Sequence, residues 1–170
     1  MDIRHITEND DIDAVREIYE KSWKFAYKDI VPMEWMESRP KEKWGGNVLH
    51  NGRTEIGAFD GDRIVGTASF GLSRWKEFSS CGEIVTIYLL PEYIGKGIGS
   101  QLIKRCIEEL ELLGFTSILL WVLEDNIRAR LFYESHGFVK TEHYMDDELG
   151  GKPLREVMYL WRKRNDNSED

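Results

Sequence analysis

The sequence predicts an α/β (α+β) fold, a single domain with a mixed central sheet of about six to seven strands and helices on both of its faces. Three observations predict it. Residues Glu83 to Leu90 are apolar at nearly every position, the pattern of a central strand buried on both faces. After a glycine-rich turn, Leu102, Ile103, Cys106, Ile107, Leu110 and Leu113 recur at helical spacing, and Ile118 to Val122 then forms another short buried run. Upstream, Thr54 to Phe59 and Arg63 to Phe70 are strand-like runs joined by Asp60-Gly61-Asp62, a tight hairpin in which Gly61 supplies the positive φ. Strands followed by a strand–helix–strand–helix–strand order place helices over both faces of a mixed sheet.

The remaining elements follow in order. Ile3 to Ile6 is a short strand. Thr7-Glu8-Asn9-Asp10 offers cap residues before a helix whose apolar face carries Ile12, Val15, Ile18, Tyr19 and Trp23. Pro32 and Pro40 punctuate an aromatic stretch with Trp35, Met36 and Trp44, where short helices and loops fit better than strands. Gly114 stops the helix that follows the glycine turn. Asn126 to His136 reads as a helix ended by Gly137, Phe138 to Tyr144 as a strand and Arg155 to Leu160 as a last strand. The domain is expected over residues 1–163, with a charged, frayed tail at 164–170.

Composition narrows the function. The chain has 170 residues with 31 acidic and 23 basic side chains, a net charge of −8 that opposes attraction to phosphate backbones, so nucleic acid is not an expected partner. Neither a secretory h-region nor an apolar run long enough to cross a bilayer occurs, which predicts a cytoplasmic protein without a membrane partner. Cys81 and Cys106 lack paired spacing and are read as reduced thiols. The four histidines, His5, His50, His136 and His143, have no metal-ligand spacing, and no metal is expected.

The segment Tyr93-Ile94-Gly95-Lys96-Gly97-Ile98-Gly99-Ser100 leaves the central strand and enters an amphipathic helix, so unpaired N–H groups gather at a positive helix end. Such a place binds phosphate, and the alternating glycines let backbone approach an anion. Ser100 stands where a dinucleotide fingerprint has its third glycine, and the spacing is not that of a Walker A loop. Taken alone, the turn is equally well an ordinary strand-to-helix connection.

Its company adds more. Tyr88-Leu89-Leu90-Pro91-Glu92-Tyr93, the glycine turn, and then Asn126-Ile127-Arg128-Ala129-Arg130-Leu131-Phe132-Tyr133-Glu134-Ser135-His136-Gly137-Phe138 together resemble the GNAT-type N-acetyltransferase family. The likeness covers the C-terminal two thirds of the chain, and the upstream elements agree with the family's order. It implies acetyl-CoA as cosubstrate. By the same resemblance, amides of Gly95, Lys96, Gly97, Ile98, Gly99 and Ser100 hold the pyrophosphate, while Ile87, Tyr88 and Leu89 meet the pantetheine arm along a splayed strand. Asn126 resembles the residue that contacts that arm, and it is equally a helix N-cap. Ile94 stands where the family commonly has Arg or Gln.

The resemblance implies acyltransferase activity on a primary amine, by direct attack in a ternary complex. An alkylamine of pKa about 10.4 costs roughly 4–5 kcal/mol to deprotonate at neutral pH, so a base is useful. Glu83, nominally on the same side of the strand as Ile87 if no bulge intervenes, is the expected base. Tyr133 resembles the family's general acid near the CoA sulfur; its helix spacing with Ala129, Phe132 and His136 also fits plain core. Trp23, Tyr27, Trp75 and Tyr144 are the expected acceptor-binding aromatics. Asp146, Asp147 and Glu148 offer negative charge to a small cationic amine. The alternative is a non-catalytic CoA or acyl-CoA sensor with the same fold, and the family's habits make a homodimer compatible with either.

Overall fold

In the computed structural model, residues 1–164 are described, and most of the expected tail, residues 165–170, lies outside them. Seven strands form one sheet: β1 (Asp2–His5), β2 (Thr54–Asp60), β3 (Arg63–Leu72), β4 (Gly82–Leu89), β5 (Ser117–Leu123), β6 (Val139–Leu149) and β7 (Lys152–Arg162). Their order is β1-β2-β3-β4-β5-β7-β6, antiparallel throughout except for β4 and β5, which run parallel. Four helices complete the fold: α1 (Ile12–Ala26), α2 (Met33–Ser38), α3 (Ile98–Leu112) and α4 (Ile127–Ser135).

The predicted hairpin forms, with Gly61 at φ 60° in its turn. The cap of α1 falls one residue beyond the expected segment, at Asp11, whose carboxylate accepts from the Ala14 amide at 3.0 Å. Asp10 is occupied elsewhere: it accepts from the Thr7 amide and pairs with Arg4 at 2.7 Å, and Arg4 holds its carboxyl well below the usual range.

Alternation along β3 shows that α1 and α3 cover opposite faces. Thr67 donates to Glu55 on β2, and the same Glu55 accepts from Tyr19 of α1 at 3.2 Å. The next residue back, Gly66, looks the other way: a Cβ there would lie 3.4 Å from Leu102 of α3 and 2.3 Å from Leu89. Leu102, Ile103, Cys106 and Leu110 are fully buried on the α3 side, and Val15 and Ile18 on the α1 side. Burial pushes the Glu55 carboxyl up, while hydroxyls of Thr67 and Tyr19 satisfy it, and Tyr19 extends the network to Thr86 of β4. Both cysteines are buried, and neither is in a disulfide.

Two features depart from the expected pattern. First, β4 is buried only over Gly82–Ile84, and its remaining residues are half-exposed rather than covered on both faces. The cause is its pairing. β4 meets β3 along its whole length but meets β5 only at Gly82 with Ile118 and Glu83 with Leu119. Beyond that point the two parallel strands part. Second, β6 and β7 extend far past the expected ends, to a hairpin turned by Gly150 and Gly151 at φ 60° and 80°. The tip docks on α2: a Cβ at Gly150 would sit 2.7 Å from the Trp35 Cβ and 3.3 Å from Pro32.

This docking gives a test. Gly150→Ala combines a left-handed backbone with contact against a tryptophan stem, for a cost of about 2 kcal/mol or more. Thermal melting is expected to fall by at least about 4 °C; an unchanged midpoint would show that the hairpin tip is not held against α2.

Candidate active site

The parting of β4 and β5 opens a cleft of about 710 Å³, within the size range of small-molecule sites. Its walls are Val85–Leu89 of β4 and Trp121–Leu123 of β5. Because β4 is paired on its β3 side only, the edge facing the cleft carries main-chain groups with no strand partner over these residues. Ile87, Tyr88 and Leu89 all line the opening, as expected.

One end of the cleft is the glycine turn. Gly95 and Gly97 both adopt φ 80°, where a side chain would be strained, and Gly97 caps α3. The Gln101 amide reaches back to the Gly97 carbonyl at 3.2 Å, so the amides before it are the orphan donors of the helix end. Gly95, Gly97, Gly99 and Ser100 line the cleft. The side chains of the two other predicted turn residues go elsewhere: Ile98 is core, and the Lys96 ammonium lies 4.9 Å from the Tyr93 ring centre. Gly99 permits a close approach of α4, since its Cβ would stand 3.3 Å from the Phe132 ring.

Ser100 is held from the side. His136 Nδ1 lies 2.8 Å from the Phe132 carbonyl and therefore donates there, while its Nε2 is hydrogen-bonded with the Ser100 hydroxyl at 3.0 Å. Asn126 lines the cleft and also caps α4, accepting from the Ala129 amide at 3.2 Å, so its two predicted roles are geometrically compatible. Ile94 presents an apolar surface in the same wall, while Lys28 and Arg128 bring two cations that sequence spacing did not single out.

Deeper in, phenols converge. Tyr133 projects from α4 into the cleft, Tyr88 from β4, and Tyr27 from the end of α1. Trp23 donates its indole N–H to the Tyr88 hydroxyl at 2.9 Å and meets Tyr27 edge to face at 4.9 Å. Burial raises all three phenols, Tyr88 to about 12, and each is raised further by another phenol or acid in the cleft. They are held as proton carriers at neutral pH.

The other expected residues are placed differently. Glu83 is fully buried and absent from the cleft lining; its oxygens accept from the Arg74 guanidinium at 2.7 Å and from the Arg74 amide at 3.0 Å. The reason is its pairing: Glu83 still lies opposite Leu119 of β5, before the two strands part, and the bulge that leaves Val85 as an extra residue puts Glu83 on the side of Thr86 and Tyr88 rather than that of Ile87. Trp75 also lies outside the lining, packed 5.3 Å from Trp121 in a small cluster with Cys81, Leu119 and Met158. Tyr144 is exposed on the opposite face of β6, with the Arg155 guanidinium 4.0 Å from its ring centre. Strand alternation puts Asp147 on the cleft face instead, beside Glu156 of β7. Glu156 was not found from sequence, because the predicted strand gave no sign of which face met the cleft.

A glycine turn with orphan amides at the mouth of a split sheet, with half-buried phenols along the cleft wall, is an arrangement suited to an acyl-group transferase. Residues 12–138 match the Acetyltransferase (GNAT) family, and the chain belongs to it. It is 29% identical over 158 residues to an uncharacterized N-acetyltransferase, YuaI, of Bacillus subtilis, covering 89% of this chain and 88% of that one. It is 28% identical over 138 residues to the spermidine N(1)-acetyltransferase of Thermoplasma acidophilum, covering 76% and 83% of the two chains. The fold superposes on the crystal structure of the PaiA N-acetyltransferase of that organism in complex with coenzyme A, with a TM-score of 0.74 and 23% identity over 95% of this chain and 99% of that one.

The turn's geometry predicts an affinity change. Gly97→Ala puts a Cβ on a left-handed residue in open space, so its only penalty is about 1–2 kcal/mol of backbone strain, relieved by rotating the turn amides. Coenzyme A binding, followed by calorimetry, is expected to weaken about tenfold. Unchanged affinity would place the phosphates away from this turn.

Proposed function

We propose that the protein transfers an acetyl group from acetyl-CoA to a primary amine on a small cationic molecule, by direct attack in a ternary complex. The observation that carries this reading is the split between β4 and β5, a cleft whose lining includes both the glycine turn and the carboxylates Asp147 and Glu156. An acyl-CoA lying along the split has its phosphates at the turn and its thioester among the phenols. Acceptor amines enter from the end walled by Trp23, Tyr27, Asp147 and Glu156. The likeness to a spermidine acetyltransferase supports a cationic acceptor.

The residues present fit that donor. Turn amides meet the pyrophosphate, Lys28 and Arg128 add positive charge, and the unpaired edge of β4 near Ile87 and Leu89 offers main-chain groups to the amide-bearing arm. When nitrogen attacks the thioester, negative charge develops on the carbonyl oxygen, and a main-chain N–H of β4 near Leu89 stabilises it. As the C–S bond breaks, the thiolate takes a proton from Tyr133, whose raised pKa keeps that proton in place until it is needed. Glu83 is held by the Arg74 amide and guanidinium just beyond β3 and takes no part in the transfer.

Release of free thiol from acetyl-CoA, measured with a panel of polyamines, amino acids, aminoglycosides and short peptides, tests the reading. Turnover is expected with cationic alkylamines; acetyl-CoA binding without turnover across the panel would instead make the protein a sensor. Tyr133→Phe is expected to lower kcat by about a hundredfold while leaving the dissociation constant for acetyl-CoA within about twofold. Loss of binding along with kcat would assign the ring to packing.

A further inference from the structure

We infer that Glu156, not Glu83, is the carboxylate that receives the acceptor's ammonium group and takes its proton. The inference rests on the transfer reading for its chemistry and on the geometry of the cleft for its location. Glu156 lies on β7 directly opposite Leu123 of β5 and Met145 of β6, so it is flanked in the sheet by apolar residues. It is half-buried and lines the cleft, and among the described residues its side chain has neither a hydrogen bond nor an ion pair. Glu83, by contrast, is fully buried with both oxygens taken by Arg74. A carboxylate with an open acceptor in a substrate cleft is available for chemistry; one saturated by a guanidinium is not.

Charged and titratable groups face Glu156 from each neighbouring element. Asp147 approaches from β6, Arg74 from the segment after β3, Tyr27 from the end of α1 and Tyr88 from β4. Burial and the Asp147 charge push Glu156 up, and Arg74, already neutralised by Glu83, draws it only partly back. Its proton affinity thereby moves toward that of a useful base near neutral pH. An ammonium entering between the phenols and the carboxylate replaces the missing cation.

The protons balance as follows. The ammonium gives one proton to Glu156 and becomes a neutral amine, whose lone pair attacks the thioester carbon. The C–N bond forms and the C–S bond breaks; Tyr133 protonates the sulfur and regains a proton from the attacking nitrogen as the amide forms. Glu156 releases its proton to solvent when the product leaves.

Glu156→Gln tests this, with Glu142→Gln on the exposed part of β6 as a control for lost negative charge. Binding of 1,4-diaminobutane, spermidine and butylamine is measured by calorimetry in the presence of coenzyme A, which cannot react, so the result does not depend on turnover. E156Q is expected to bind these amines at least tenfold more weakly, to bind coenzyme A as the wild type does, and to melt no lower, since it removes a charge that the fold disfavours. With acetyl-CoA, kcat/KM for the amine is expected to fall about a hundredfold, and the rise of rate with pH set by Glu156 is expected to disappear. Wild-type binding of the amines without turnover would remove the transfer reading but keep the ammonium site. Failure of the wild type to bind any of the three amines, equal amine binding by E156Q, or an unchanged pH profile in a turning-over E156Q would overturn the inference.

Discussion

Everything that makes this molecule a catalyst depends on two parallel strands pairing briefly and then separating. β4 and β5 share two residue pairs at their starts, at Gly82 and Glu83, and diverge beyond them. A sheet interior normally satisfies its main-chain donors and acceptors on both sides. Here one edge of β4 is held by β3 over its full length, and the other is left open beyond Glu83, in the middle of a seven-stranded sheet. An interior edge of this kind cannot recruit another sheet as an outer edge would, yet it retains the capacity to bind an extended, amide-bearing ligand. The Val85 bulge adds local twist at the point where the strands separate.

The flanking structure maintains the gap. On the α1 face, the buried Glu55 with Thr67 and Tyr19 extends through Thr86 to Ser69, at 2.8 Å, tying β2, β3, β4 and α1 together beneath the cleft wall. At the glycine-turn end, α4 is seated through Phe132 over Gly99 and through His136 on Ser100. At the other end, the long β6–β7 hairpin is docked on Trp35 and delivers two carboxylates to the cleft. Each wall therefore comes from a different part of the chain, and low-dielectric packing around the phenols raises their proton affinities.

Much of this was legible in the sequence because it depends on local pattern. Apolar alternation located the strands, helical spacing located α1 and α3, and the alternate glycines marked the turn whose residues line the cleft. The family resemblance carried the reading from a turn of unsettled purpose to an acyltransferase, and family membership bears that out. What depends on register was not legible. The bulge at Val85 puts Glu83 on the side opposite Ile87, a single-residue effect that no spacing rule displays, at a point where β5 still pairs with β4. The same parity decides that Asp147 faces the cleft while Tyr144 faces Arg155, and it requires knowing how β6 aligns with β7. Trp75 was chosen for its aromaticity, which packing against Trp121 satisfies equally well.

The central claim is that the open edge of β4 is the docking edge for the acyl-CoA arm. Amide hydrogen exchange with and without coenzyme A reads this edge directly. Binding is predicted to slow exchange along the half of β4 beyond Glu83 and in the first turn of α3, with no change at Gly82 and Glu83, where β5 already pairs. Protection confined to the glycine turn, or spread over β6 and β7 instead of β4, would contradict the account.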